Sequence, residues 1–75
     1  MRMAKIVKII GAFANCPPAE GALRELNINA DFVFSIYVHT FNGEKTGFTV
    51  LSLPFGQSDL YTKTSLEEVI RLISD

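Results

Sequence analysis

Cys16 is the side chain whose surroundings in the sequence indicate the most specific chemistry. It is the only cysteine in the chain, and it stands between a β-branched run and a segment that begins with Pro17 and has helical spacing of apolar residues. At a helix N-terminus, backbone N–H donors and the helix dipole favour the reactive thiolate form of a cysteine. Redox or nucleophilic thiol chemistry is therefore one hypothesis.

The segment Cys16-Pro17-Pro18-Ala19 resembles the opening strand–helix unit of glutaredoxins, whose reactive cysteine also precedes a proline. The resemblance implies a small thiol or redox protein that uses Cys16. It covers about a third of the chain, no second cysteine follows, and no Thr-Val-Pro segment is present. We keep this function as an alternative and favour a structural or incidental cysteine.

His39 is the only histidine, and a Cys–His nucleophile pair would require Cys16 beside it. No pair of Cys and His residues has zinc-ligand spacing, and the sequence contains no glycine-rich phosphate loop. Turn and cap chemistry explains the polar residues between Ser58 and Ser65. We therefore predict that the protein is not an enzyme and has no cofactor or metal.

Two aromatic runs, Ile36 to His39 and Lys45 to Val50, are similar to the strand motifs of RNA-recognition modules, whose rings stack on unpaired bases. In those modules a helix and a strand separate the two motifs, whereas here a single turn does. The net charge of −1, from seven basic and eight acidic residues, also disfavours nucleic acid as a partner. Single-stranded nucleic-acid binding remains a second alternative.

Composition indicates a single domain over residues 1–75 with more apolar surface than its core needs. Hydrophobic residues make up 48% of the chain and charged residues 20%, while a domain this small buries only about 60% of its unfolded surface. We expect part of the apolar excess to meet a protein partner or a second copy. The lone cysteine predicts a reducing, cytoplasmic location, and the apolar run from Ile6 to Ala14 is too short to span a membrane.

Periodicity predicts an α+β domain with the order β-α-β-β-α, in which two helices pack on a three-stranded sheet. The first strand is expected from Lys5 to Phe13 and is followed by a helix beginning near Pro17. If strands one and two are parallel neighbours, this helix is their crossover. The strongest pattern is a β-hairpin, residues 32–41 and 46–53, joined through Asn42-Gly43.

The end of the chain is predicted to be a loop over residues 54–63 and then a helix. Thr64 or Ser65 can cap this helix, because each has a glutamate three residues later. Its apolar stripe consists of Leu66, Val69, Ile70 and Ile73.

Alternation assigns two faces to the predicted hairpin, because side chains of a strand point to opposite sides in turn. The face expected to be core carries Phe32, Phe34, Ile36, Val38, Thr49, Leu51 and Leu53. The opposite face carries Val33, Ser35, Tyr37, His39, Phe41, Phe48 and Val50. Either one helix covers each face, or both helices pack on the first face and leave the aromatic one as an interface.

The sequence therefore predicts a non-catalytic protein-binding module, an adaptor or stoichiometric inhibitor, that acts through the hairpin face or an exposed sheet edge. Small proteins of this size class are common among phage and mobile-element products that block host defences, anti-CRISPR proteins included. A homodimer joined by aromatic faces or edge strands is a third hypothesis. The predicted binding residues are Tyr37, His39, Phe41 and Phe48, and Phe55 and Tyr61 either extend the surface or fold inward to close the core.

Overall fold

One antiparallel sheet of five strands forms the framework of the protein. The computed structural model describes residues 5–54 and 58–74. The elements are β1 (Ile6–Ala14), β2 (Arg24–Asn29), β3 (Ser35–Phe41), β4 (Glu44–Ser52), β5 (Asp59–Thr62) and α1 (Leu66–Ser74), with short 3-10 turns at Glu20–Ala22 and Ala30–Phe32. The strand order is β2-β1-β5-β4-β3, and all four neighbouring pairs are antiparallel. Within the described residues, α1 is the only α-helix, so the prediction of a three-stranded sheet with two helices is wrong.

The predicted first helix is replaced by β2. Here Leu26 and Ile28 pair with Ile9 and Val7 of β1, and asparagines alternate with them along the strand. This period of two places both apolar residues on one side of the sheet, which stabilises a strand more than the coincidental helical spacing stabilises a helix. The strand predicted at residues 32–41 corresponds to β3, which is not a neighbour of β1 in the sheet, so the condition for a parallel crossover between them is not met.

The predicted loop over residues 54–63 contains β5, which lies in the middle of the sheet. Tyr61 pairs with Ala12 of β1 on one side and with Val50 of β4 on the other. Leu60 and Thr62 are completely buried. A four-residue segment thus joins the two halves of the sheet.

The strand predicted at the N-terminus is confirmed as β1, and Gly11 lets β5 approach it closely. Val7, Ile9 and Gly11 are buried, while the intervening residues are exposed. A Cβ atom at Gly11 would lie 2.5 Å from the backbone oxygen of Tyr61. Only glycine fits this position without a shift of the neighbouring strand.

The hairpin is confirmed, with a two-residue turn. Asn42 and Gly43 both have positive φ, 53° and 81°, as a type I′ turn requires. β4 therefore begins at Glu44 and not at Thr46, and a bulge interrupts its pairing with β3 between Val38 and Thr40. Phe32 and Phe34, expected in the core, precede β3 and are 49% and 82% exposed.

The final helix is also confirmed. Ser65 is its cap, since the Ser65 Oγ accepts a hydrogen bond from the Glu68 N–H at 3.2 Å. Near the other end, the Lys5 Nζ donates to the Ile73 carbonyl at 2.9 Å. Because Leu66 lines a groove with Val38, α1 runs from the β3–β4 hairpin towards the start of β1.

One face of the sheet packs against α1 and forms the main core, which consists of Val7, Ile9, Ile28, Ala30, Leu51, Leu60 and Val69. We call the opposite side the second face. Among the described residues, no helix has the length and apolar character needed to cross a membrane.

Candidate functional site

The second face is covered in its middle and bare at both ends. Phe48, Val50 and Tyr61 form a buried cluster there, against which Leu23 and Ala14 pack. The segment between β1 and β2 thus covers the centre of the second face, where one of the two predicted arrangements placed a second helix. Neither of the two arrangements predicted from the sequence, one helix on each face or both helices on one face, describes this structure. A single helix packs on one face, and a short connection shields part of the other.

The buried cluster is extended by ring contacts that cross three strands. The Tyr61 ring lies 5.9 Å from that of Phe48 and 5.6 Å from that of His39, both in edge-to-face geometry. The Lys63 Nζ lies 4.3 Å from the centre of the Phe48 ring, a cation–π contact. These contacts tie the hairpin to β5.

Thr46 fixes the orientation of the His39 ring. The Thr46 Oγ1 donates its single proton to the His39 carbonyl at 3.2 Å and lies 2.9 Å from the His39 Nδ1. One hydroxyl group thus contacts both the ring and the backbone of His39.

The Tyr61 phenol is the titratable group that the fold perturbs clearly. Burial raises its pKa, and repulsion from the ionised forms of Tyr37, Asp59 and Cys16 raises it further. At neutral pH the phenol is consequently a protonated donor.

The six predicted binding residues separate by exposure. Phe41 and Tyr37 are 68% and 44% exposed, and His39 is half-buried. Phe48 and Tyr61 are only 6% and 4% exposed, so they support the surface from below. Phe55 lies outside the described residues. We call Tyr37, His39 and Phe41 the hairpin surface.

Phe34 is an exposed aromatic that the sequence analysis placed in the core. It follows a 3-10 turn in which the Asn29 Oδ1 accepts from the Asp31 N–H at 2.9 Å. An asparagine bonded to the backbone two residues later is a turn signal. That signal delays the start of β3 to Ser35, which removes Phe34 from the alternation used to assign faces.

The alternative functions lose structural features on which they were based. Cys16 is exposed, but the three-residue turn at Glu20–Ala22 replaces the α-helix whose N-terminus was to activate it. Phe48, one of the two motif aromatics, has little ring surface available for stacking on a base. Among the described residues, no group of three or more His, Cys, Asp or Glu side chains could hold a metal ion.

Comparisons with known proteins give no match: no protein-family model, no curated protein and no solved structure matches the chain. Its function therefore has to be inferred from its own sequence and structure, and the hairpin surface is the strongest candidate for a functional site.

Proposed function

We propose that the chain is a non-catalytic protein-binding module that engages its target through the hairpin surface. The observation that carries this proposal is a concentration of exposed aromatic rings. Of the eight large hydrophobic side chains that are exposed in the described structure, Phe34, Tyr37 and Phe41 lie within residues 34–41. Exposed apolar patches mark interaction sites, and aromatic side chains supply much contact area at low entropic cost.

The surface is also held in place before a partner arrives. Tyr37 stands opposite the fully buried Val50, and the bonds between His39 and Thr46 join the two strands below the turn. A surface that is already ordered loses less conformational entropy on binding. This supports recognition by docking of a rigid hairpin.

An adaptor or stoichiometric inhibitor fits these features best, because such proteins act by occupying a surface. Small inhibitors encoded by phages and mobile elements, anti-CRISPR proteins included, belong to this size class. The free and exposed Cys16 fits a reducing compartment, so we infer a cytoplasmic location.

The proposal is tested with a double variant, Tyr37→Ala with Phe41→Ala. Its matched control is Ile6→Ala with Ile10→Ala, because these side chains are 59% and 57% exposed and lie on β1, away from the hairpin. Each tagged protein is used to capture and quantify targets in the cells that produce the natural chain. Loss of two hot-spot aromatics should weaken capture about 30-fold or more, which corresponds to about 2 kcal/mol.

The control should retain the target that the hairpin variant loses. Equal capture by all three proteins, or equal loss in both variants, would show that the hairpin surface is not the binding site. Circular dichroism of each variant verifies that the sheet is intact.

Cys16 offers an independent readout without an added probe. It is the only cysteine, is exposed, and follows by two residues Ala14, which packs against the buried cluster of the second face. Once a target is identified, its binding should slow alkylation of Cys16. An unchanged alkylation rate at saturating target would place the contact elsewhere.

A further inference from the structure

β3 is an edge strand that carries no charged residue and no proline, although a bulge interrupts its pairing with β4 between Val38 and Thr40. In the described structure β4 is its only neighbour in the sheet. The other edge strand, β2, begins with Arg24 and Glu25, whereas Ser35–Phe41 contains no charged residue and no proline. Natural edge strands normally carry such residues because an open edge pairs readily with another chain.

The sequence of β3 is suited to pairing with itself. In the antiparallel arrangement centred on Val38, all seven residues of each strand are paired, which no other register achieves. Tyr37 then stands opposite His39 of the second copy, and Ile36 stands opposite Thr40. No like charges meet, and each opposing pair lies on the same side of the sheet.

We propose that two copies of the chain associate through β3 about a two-fold axis at Val38. The two five-stranded sheets then form one continuous sheet of ten strands, with both α1 helices on the same side. On that side α1 runs from the hairpin, where Leu66 and Val38 line one groove, to Lys5 at the start of β1.

This interface is short compared with a standard one. A stable complex usually involves about 20–30 residues and about 800 Å² per partner, and each chain contributes seven strand residues together with the adjoining aromatic rings. We therefore expect a dissociation constant in the micromolar range, with dimer and monomer in concentration-dependent exchange.

The pairing would enlarge the hairpin surface. Tyr37 of each copy would lie beside His39 of the other, so that the aromatic residues of two hairpins form one area on the second face. This consequence rests on the proposed function, whereas the pairing itself rests only on the β3 edge.

The test is the mass in solution, measured by sedimentation from about 1 μM to about 1 mM. Thr40→Glu adds a charge to the β3 edge outside the hairpin surface, and Asn27→Glu makes the same change on β2. Both positions are exposed, and each has a lysine opposite on the neighbouring strand, Lys45 and Lys8. Each substitution therefore places a carboxylate opposite a lysine on the neighbouring strand, and Lys8 differs from Lys45 in already lying 3.6 Å from the Glu25 carboxylate.

The mass of the natural chain and of Asn27→Glu should rise towards twice 8.3 kDa, and Thr40→Glu should weaken association at least tenfold. Amide hydrogen exchange should slow with concentration in β3 and not in β2. A monomeric natural chain at about 1 mM overturns the pairing, as does association that Thr40→Glu leaves unchanged. If monomeric protein still captures its target through Tyr37 and Phe41, the proposed function stands while the pairing fails.

Discussion

β3 and β5 have exchanged the positions that their sequences suggest. β3 has seven residues and the stronger strand pattern, yet it lies at the edge of the sheet and exposes Tyr37 and Phe41. β5 has four residues within a polar stretch, yet it lies between β1 and β4 with Leu60 and Thr62 completely buried. The short strand therefore carries the core, and the long strand carries the surface available to partners.

The difference shows that burial in a small sheet depends on strand position more than on strand composition. A central strand is covered on both faces and bonded on both edges, so few residues suffice for it. An edge strand keeps one row of backbone groups and many side chains exposed. Aromatic residues in an edge strand are consequently available for binding, and this is the situation of the hairpin surface.

The largest expected effect comes from truncating β5. Leu60→Ala should lower the free energy of unfolding by about 2–5 kcal/mol, because it removes a fully buried side chain and leaves a cavity. Phe41→Ala removes a larger side chain from β3 and should change stability by at most about 0.5 kcal/mol, because that ring is 68% exposed. Urea denaturation measures both.

A domain of this size has only about 4–11 kcal/mol of stability, so Leu60→Val serves as a milder step if Leu60→Ala is largely unfolded. Equal losses in the Leu60 and Phe41 variants would mean that β3 contributes to the core as much as β5 does.

The sequence predicted correctly those elements that are specified by residues close together in the chain. Asn42-Gly43 specifies the hairpin turn, Ser65 caps α1, and the alternation around Val7 and Ile9 marks β1. Parity also placed Tyr37 and Val50 on the same face correctly.

What could not be predicted depends on contacts between distant parts of the chain. Nothing near Tyr61 indicates that Ala12 and Val50 will pair with it from both sides. The burial of Phe48 depends on Leu23, which the sequence analysis had assigned to a helix. The position of the hairpin surface was therefore predicted from the sequence. The exposed residues among the predicted binding residues were not distinguished from the buried ones.

A second prediction concerns the contact between β1 and β5. Gly11→Ala should destabilise the protein by about 1–3 kcal/mol, because the new Cβ would collide with the backbone oxygen of Tyr61 and force the two strands apart. Gly21→Ala is the matched control, since a Cβ there meets no atom within 4 Å. Thermal unfolding of both variants provides the comparison. A neutral Gly11→Ala would show that β5 is held loosely and is not the rigid centre of the sheet.

The smallest expected effect is a dependence of stability on alkaline pH. Burial raises the pKa of Tyr61 above its ordinary value near 10, so the unfolded chain loses this proton at a lower pH than the folded chain. Between the two pKa values the folded state binds more protons, and stability falls as pH rises. The contribution of Tyr61 is therefore complete below pH 10 and is lost above it.

Tyr61→Phe should remove that part of the decline, whereas Tyr37→Phe, which changes a half-exposed tyrosine on the edge strand, should retain most of it, because burial is the largest cause of the raised pKa and Tyr37 only the second. Urea unfolding between about pH 8 and about pH 11 measures how steeply the free energy of unfolding falls with pH in each protein. Lysines and Cys16 are common to all three proteins, so their contributions cancel in the comparison. If Tyr37→Phe flattened the curve as much as Tyr61→Phe, the phenol of the edge strand would be as strongly coupled to folding as that of the central strand. β3 and β5 would then differ in the burial of their side chains but not in how strongly the ionisation of their tyrosines is coupled to folding.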